Sequence, residues 1–222
     1  MTRPKAWLSW SSGKDSAFAL DVVRRAGDLD IVGLVTTVTS AYGRVSMHGV
    51  REQLLDRQAA AAGVPVHKVE IPAPCTNDEY ERRLCAILRA ARVDGVTHVV
   101  FGDLYLADVR AYRERVLAPL ELVPVFPLWL RDTRALAREM VGAGLRAHLT
   151  CVDPRALDRS FAGRIFDEQL LADLPTTVDA CGENGEFHTF VTHGPMFDRP
   201  IDVRPGDVVE RDGFVFADLL PA

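Results

Sequence analysis

Two groups of residues able to do chemistry lie near opposite ends of the 222-residue chain. The first is Ser11-Ser12-Gly13-Lys14-Asp15-Ser16, between an apolar run, Ala6-Trp7-Leu8-Ser9-Trp10, and a stretch from Ala17 to Ala26 with helical apolar spacing. Small residues let successive backbone N–H groups face one concavity, and three serine hydroxyls add donors. A following helix presents free N–H groups and a positive dipole end. Such a loop suits phosphate or pyrophosphate, with Ser11, Ser12, Gly13, Lys14, Asp15 and Ser16 as the binding set. Lys14 would bring a point charge. Asp15 belongs beside phosphates only if a Mg²⁺ ion bridges them or if it orients the loop, so it is the candidate metal ligand. The Walker A pattern fails, because Leu8 and Asp15 stand where it needs Gly and Ser/Thr, and Gly-x-Gly-x-x-Gly is absent. The plain alternative is a polar turn capping a helix.

The second group is Gly182-Glu183-Asn184-Gly185-Glu186-Phe187-His188-Thr189. Asn-Gly favours a tight turn with positive φ. Glu183 and Glu186 would then converge on one ligand, where a carboxylate pair can hold an amine, orient ammonia or act as a base. A solvated hairpin turn is the bland alternative. Between the two groups, His48 is a candidate hydrogen-bond donor to a ligand. Arg110 and Arg113 are candidate forks for a carboxylate or phosphate, or simply a basic helical face. Cys75, Cys85, Cys151 and Cys181 form no Cys-x-x-Cys pair, so zinc spacing is missing. Cys151 and Cys181 read as buried, inert thiols.

The elements that must position these residues alternate. Strand signals at 6–10, 31–38, 66–71 and 98–101 are separated by helical stretches at 17–26, 50–62 and 77–91, with Thr76 as a cap for the last. Gly27 and Gly63 are helix stops. This order implies a doubly wound α/β domain with a parallel sheet and right-handed crossovers. Ligands of such sheets bind at the carboxyl ends of the strands, so the loops 11–16, 36–48 and 102–113 matter most. Thr36 and its neighbours would line a ligand site at the end of the second strand, with Gly102 and Asp103 opposite. The second half reads as a Pro-broken extended segment at 123–129, a helix at 133–142, a fifth strand at 148–152, a helix at 166–174 and a hairpin about Asp212-Gly213. A boundary near 130 divides the chain into residues 1–130 and 131–222.

The first motif resembles the pyrophosphate loop, Ser-Gly-Gly-x-Asp-Ser, of the PP-loop (N-type) ATP pyrophosphatases, with Ser12 in place of a Gly. The second is similar to the Glu-Gly-Gly-Glu-(Tyr/Phe)-Glu-Thr motif of the diphthine–ammonia ligase family, a branch of those enzymes. Asn184 replaces a Gly there and His188 an acidic residue. Ser46-Met47-His48-Gly49-Val50, Gly102-Asp103 and Arg110-Ala111-Tyr112-Arg113 fall where that family has its nucleotide and substrate loops. The resemblance implies a Rossmann-like ATP-binding sheet and a smaller α+β C-terminal subdomain. It implies an AMP-forming ligase that uses ATP and Mg²⁺ to adenylate a carboxylate and amidates it with ammonia. Lys14, Asp15, Glu183 and Glu186 would be catalytic. His48, Arg110, Arg113, Asn184, Gly185, His188 and Thr189 would bind substrate. His188 removes a negative charge from the acceptor side and points to a paralogue with a different substrate, small or protein-borne. A homodimer is a further expectation.

The net charge of −5 argues against a general nucleic-acid binder. No apolar run approaches a membrane span, and no signal-peptide core follows Met1, so the expected location is the cytoplasm. Two rival readings remain at this stage. One is an ATP or AMP sensor without turnover, and the other is a PP-loop enzyme acting on an RNA base.

Overall fold

A computed structural model of the chain describes residues 2–222. The first half runs β1 (Lys5–Ser9), α1 (Lys14–Ala26), β2 (Asp30–Thr39), β3 (Arg44–Val45), α2 (Glu52–Ala62), β4 (Val66–Ile71), α3 (Asn77–Val93), β5 (Val96–Val100), α4 (Ala107–Leu117) and β6 (Val123–Val125). Five of these strands pair in parallel in the order β4-β2-β1-β5-β6, and β3 folds back antiparallel on β2. The order therefore reverses between β1 and β5, the place where doubly wound sheets bind ligands.

Period-two alternation sorts the strand residues between two covered faces. Ala6, Leu8, Trp10 and Leu34 pack with Phe18 and Leu20 of α1 and Leu54 and Leu55 of α2. Trp7, Val35, Val99 and Phe101 pack on the other face with Leu88 of α3 and Leu117 of α4. Gly33 is required by this layer, since a Cβ there would lie 2.4 Å from Trp7 Nε1. The expected caps are present. Gly27 closes α1 in the left-handed region, donating to the Val23 carbonyl at 3.0 Å, and Thr76 Oγ1 accepts from the Glu79 N–H at 3.3 Å.

Three expectations need correction. The loop expected from Thr36 starts later, because the β-branched run carries β2 on to Thr39. The loop expected through Arg113 is helical from Ala107, so Arg110 and Arg113 sit on α4. The Pro-broken segment supplies the fifth parallel strand of the first sheet, β6, ahead of the segment at 148–152. Its Pro124 is tolerated because β6 is an edge strand.

The second half contains α5 (Thr133–Gly142), β7 (Arg146–Val152), α6 (Glu168–Asp173), β8 (Phe187–His193), β9 (Val203–Arg211) and β10 (Phe214–Pro221). Its four strands form an antiparallel sheet ordered β8-β7-β10-β9. Asp212 and Gly213, at φ 51° and 80°, make the hairpin turn between β9 and β10. One apolar core joins the sheets, because Phe187 and Phe190 of β8 pack in the same cluster as Leu8 and Leu20. Among the described residues no helix is long and apolar enough to cross a membrane.

Candidate functional site

The loop 11–16 sits at the C-terminal end of β1, and its geometry is set by contacts from distant parts of the chain. Ser12 adopts φ 70°, the left-handed region that favours Gly. Its carbonyl accepts from Gln58 Nε2 at 3.1 Å and from the Val191 N–H at 3.0 Å. Gln58 of α2 is fully buried; it also donates to the Val191 carbonyl and accepts from Trp10 Nε1, so all its hydrogen-bonding groups are used to clamp the loop. Ser16 Oγ bonds the Gly13 carbonyl at 3.0 Å and lies 3.1 Å from Ser11 Oγ. Thr189 Oγ1, reaching over from β8, accepts the Lys14 N–H at 3.0 Å. From the other side, Gly102 approaches so closely that a Cβ would come within 2.8 Å of Ser16 N.

Lys14 departs from the expected phosphate contact. Its side chain is 2% exposed, and its ammonium donates to Asp15 Oδ2 at 2.9 Å and to the Cys181 carbonyl, beside the Phe187 ring. Burial works against this charge, yet Asp15, Cys181 and Glu183 together hold Lys14 above its ordinary value. Burial raises the Asp15 carboxyl in spite of Lys14. Asp15 Oδ1 is enclosed and has no hydrogen-bond partner.

The loop from Cys181 to Phe187 faces this pair, and its two glutamates separate. Glu183 Oε1 accepts from the Leu104 N–H at 2.7 Å and the Tyr105 N–H at 3.4 Å, and Glu183 lines the cleft. Burial pushes its carboxyl up to about 7, with the Leu104 N–H opposing and Asp15 assisting. Glu186 does not converge on the same ligand as expected. It is 6% exposed, and its oxygens are taken by the Asp179 N–H, the Asn184 N–H and Asn184 Nδ2 at 3.0 Å each. It braces the turn. Asn184, from the same turn, accepts from the Tyr105 hydroxyl at 3.1 Å. Gly185, at φ 87°, supplies the positive φ that the Asn-Gly pair suggested.

The cleft between these loops has a volume of about 620 Å³. His48 and His188 lie in its wall with ring centroids 4.6 Å apart. Burial holds both imidazoles down, His188 to about 4 with Lys14 adding to the effect, and His48 well below its usual value with His188 adding to it. Asp103 and Arg113 also line the cleft and face each other at 3.4 Å.

Asn184 and Gly185, expected to bind substrate, do not line the cleft, and Thr36 and Arg110 also lie elsewhere. Thr36 is buried and donates to the Trp10 carbonyl at 2.7 Å; strand alternation puts Thr37 in the cleft instead. Arg110 stacks between Phe126 and Trp129, each 4.8 Å away, and pairs with Glu114, outside the cleft. Cys151 and Cys181 are buried and free, and burial pushes the Cys151 thiol up to about 12, so neither is a ready nucleophile. Gln58 and Thr37 escaped the sequence reading. A helical glutamine carries no signal of burial, whereas Thr37 was accessible through strand parity.

A doubly wound sheet with a serine-rich loop after its first strand in place of Walker A, and an antiparallel sheet closing over it, defines an α/β protein of the PP-loop type. The chain belongs to the diphthamide synthase family: the family's N-terminal domain matches residues 4–122 and its C-terminal domain residues 132–215. It is similar to the diphthine–ammonia ligase of Danio rerio, 30% identical over 232 residues that cover 93% of this chain and 89% of that protein. It is also similar to the Homo sapiens diphthine–ammonia ligase, 28% identical over 234 residues, 93% and 85% of the two chains.

Proposed function

We propose that the chain is an ATP-dependent ligase that adenylates a carboxylate, releases pyrophosphate and amidates the acyl group with ammonia. One observation carries this reading. The loop 11–16 and the Glu183 loop, more than half the chain apart, close a single cleft at the switch point of the sheet. The names of the two relatives point to the same chemistry. In this reading residues 1–130 bind ATP and residues 131–222 frame the acceptor.

The first-turn N–H groups of α1 and the hydroxyls of Ser11 and Ser16 would hold the phosphates of the leaving pyrophosphate. Lys14 would act through its field, since its ammonium is committed to Asp15 and Cys181. Asp15 Oδ1, an enclosed carboxylate oxygen without a partner, fits a Mg²⁺ ion. No group of three His, Cys, Asp or Glu forms a cage among the described residues. The phosphates would therefore supply most of the oxygen ligands. Bound there, Mg²⁺ would neutralise charge that builds on the leaving group. Thr37, together with apolar groups such as Val35 and Phe101, would take the base and sugar. Arg113 would hold the acceptor carboxylate by exchanging Asp103 for it. Glu183, near neutrality in its affinity for a proton, would take up the proton released as ammonia becomes an amide.

The test is a screen of carboxylates with ATP, Mg²⁺ and ammonium, read as AMP and pyrophosphate against ADP and phosphate. AMP release that needs both a carboxylate and ammonium supports the reading. Release of ADP, or tight ATP binding with no cleavage across the screen, would overturn it.

A further inference from the structure

His48 lies at the phosphate loop. Its Cε1 is 3.0 Å from the point where a Cβ on Gly13 would sit, so the ring covers Gly13 and leaves no room for a side chain there. Its Nδ1 is 3.3 Å from the Thr189 carbonyl. A carbonyl oxygen only accepts, so Nδ1 carries the hydrogen and Nε2 is left with a bare lone pair. Among the described residues Nε2 has no protein partner, and neither ring nitrogen of His188 has one. The two rings, tilted by 40° with centroids 4.6 Å apart, are close enough that two imidazolium charges would repel strongly. The Lys14 charge acts on both rings and discourages any further cation.

We propose that His48, with the His188 ring packed beside it, seats the ammonia molecule, accepting one of its N–H bonds at Nε2. The inference rests on the amidation reading and deepens it by giving the nucleophile a place. A neutral acceptor next to a fixed positive charge binds neutral ammonia in preference to ammonium. Ammonia has the free electron pair that attack on an acyl carbonyl needs, whereas ammonium has none. A lone carboxylate would select the wrong form. The seat also borders the phosphate loop, so the nucleophile waits beside the activated acyl group.

The experiment uses the full chain labelled at the histidine ring nitrogens, saturated with Mg²⁺ and a non-hydrolysable ATP analogue, and read by NMR. His67, His98, His148 and His193 lie outside the cleft and serve as internal controls. One histidine is expected to show the Nδ1–H form and to lose its signal in His48→Gln. At constant total ammonium chloride its Nε2 resonance should shift saturably as rising pH frees ammonia. A matched pH series in potassium chloride or tetramethylammonium chloride should leave it in place. His188→Gln, which keeps the Thr189 contact, should raise the half-saturating ammonia by roughly tenfold, about the worth of one good contact. An Nε2–H form at His48 would overturn the proposal, as would an equal shift in potassium chloride. So would the absence of any ammonia-dependent shift while the analogue still binds. Failure of the analogue to bind, followed by calorimetry on the same samples, would count against the ligase reading and is thereby told apart.

Discussion

The two loops that close the cleft work by opposite means. The loop 11–16 offers its backbone and the start of α1 to the cleft, and its side chains mostly shape the chain: Ser16 bonds Gly13, and Lys14 reaches away to Cys181. The loop from Cys181 to Phe187 brings carboxylates, but uses one of them up on itself. Glu186 accepts three hydrogen bonds within its own turn and the preceding segment, while Glu183 spans to the loop after β5 and keeps a face on the cleft. Identical residue types three positions apart thus divide into one that braces its own turn and one that faces the cleft. The difference lies in whether the N–H donors that each meets are local or come from the other sheet.

The sharpest way to break this comparison is at Asp15. Asp15→Ala removes an enclosed carboxylate oxygen that lacks a partner and frees the Lys14 ammonium. It should weaken binding of Mg²⁺ with an ATP analogue by about a hundredfold or more, as loss of a preorganised electrostatic contact does. Isothermal titration checks this, and an affinity near wild type would reduce the loop to a helix cap. Next in size is Glu186→Ala, which strands three donors. It should cost about 2–3 kcal/mol in denaturant unfolding and leave nucleotide affinity nearly unchanged wherever the protein is folded. A variant that is stable but inactive would return Glu186 to the chemistry.

Glu183 can be tested by pH. Its folded value of about 7 stands above the ordinary 4.5, so the folded protein holds a proton that the unfolded chain has shed. That contribution to stability is full below about 4.5, falls as pH rises to about 7, and is flat above. Glu183→Gln should remove this slope from the pH dependence of unfolding, and it should slow amide formation more than pyrophosphate release. An unchanged slope would mean that Glu183 is ionised throughout. The smallest effect is expected at Arg110, whose guanidinium is stacked on Phe126 and Trp129. Arg110→Ala should alter ATP-analogue affinity by less than about twofold, as surface changes away from a site do. A larger loss would put α4's outer face back into the site.

The alternation of strands and helices, the caps at Thr76 and Gly27, the loop 11–16 between a strand and a helix and the turn at Asp212-Gly213 were all legible from the sequence. Each depends on neighbours within a few residues: hydrophobic period, small residues before a helix, or a backbone that must reach positive φ. The same local reading linked Glu183 with Glu186, put Thr36 itself in the cleft and placed Arg110 in the pocket. Those choices belonged to the tertiary structure. Whether a carboxylate is free is decided by which N–H groups reach it, and the donors to Glu183 lie 78 and 79 residues away. Gln58 clamps a loop 46 residues distant, and Thr189 caps a helix that begins 175 residues before it. No short window of sequence contains both ends of such a bond, so only the packing of one sheet against the other could settle what these side chains do.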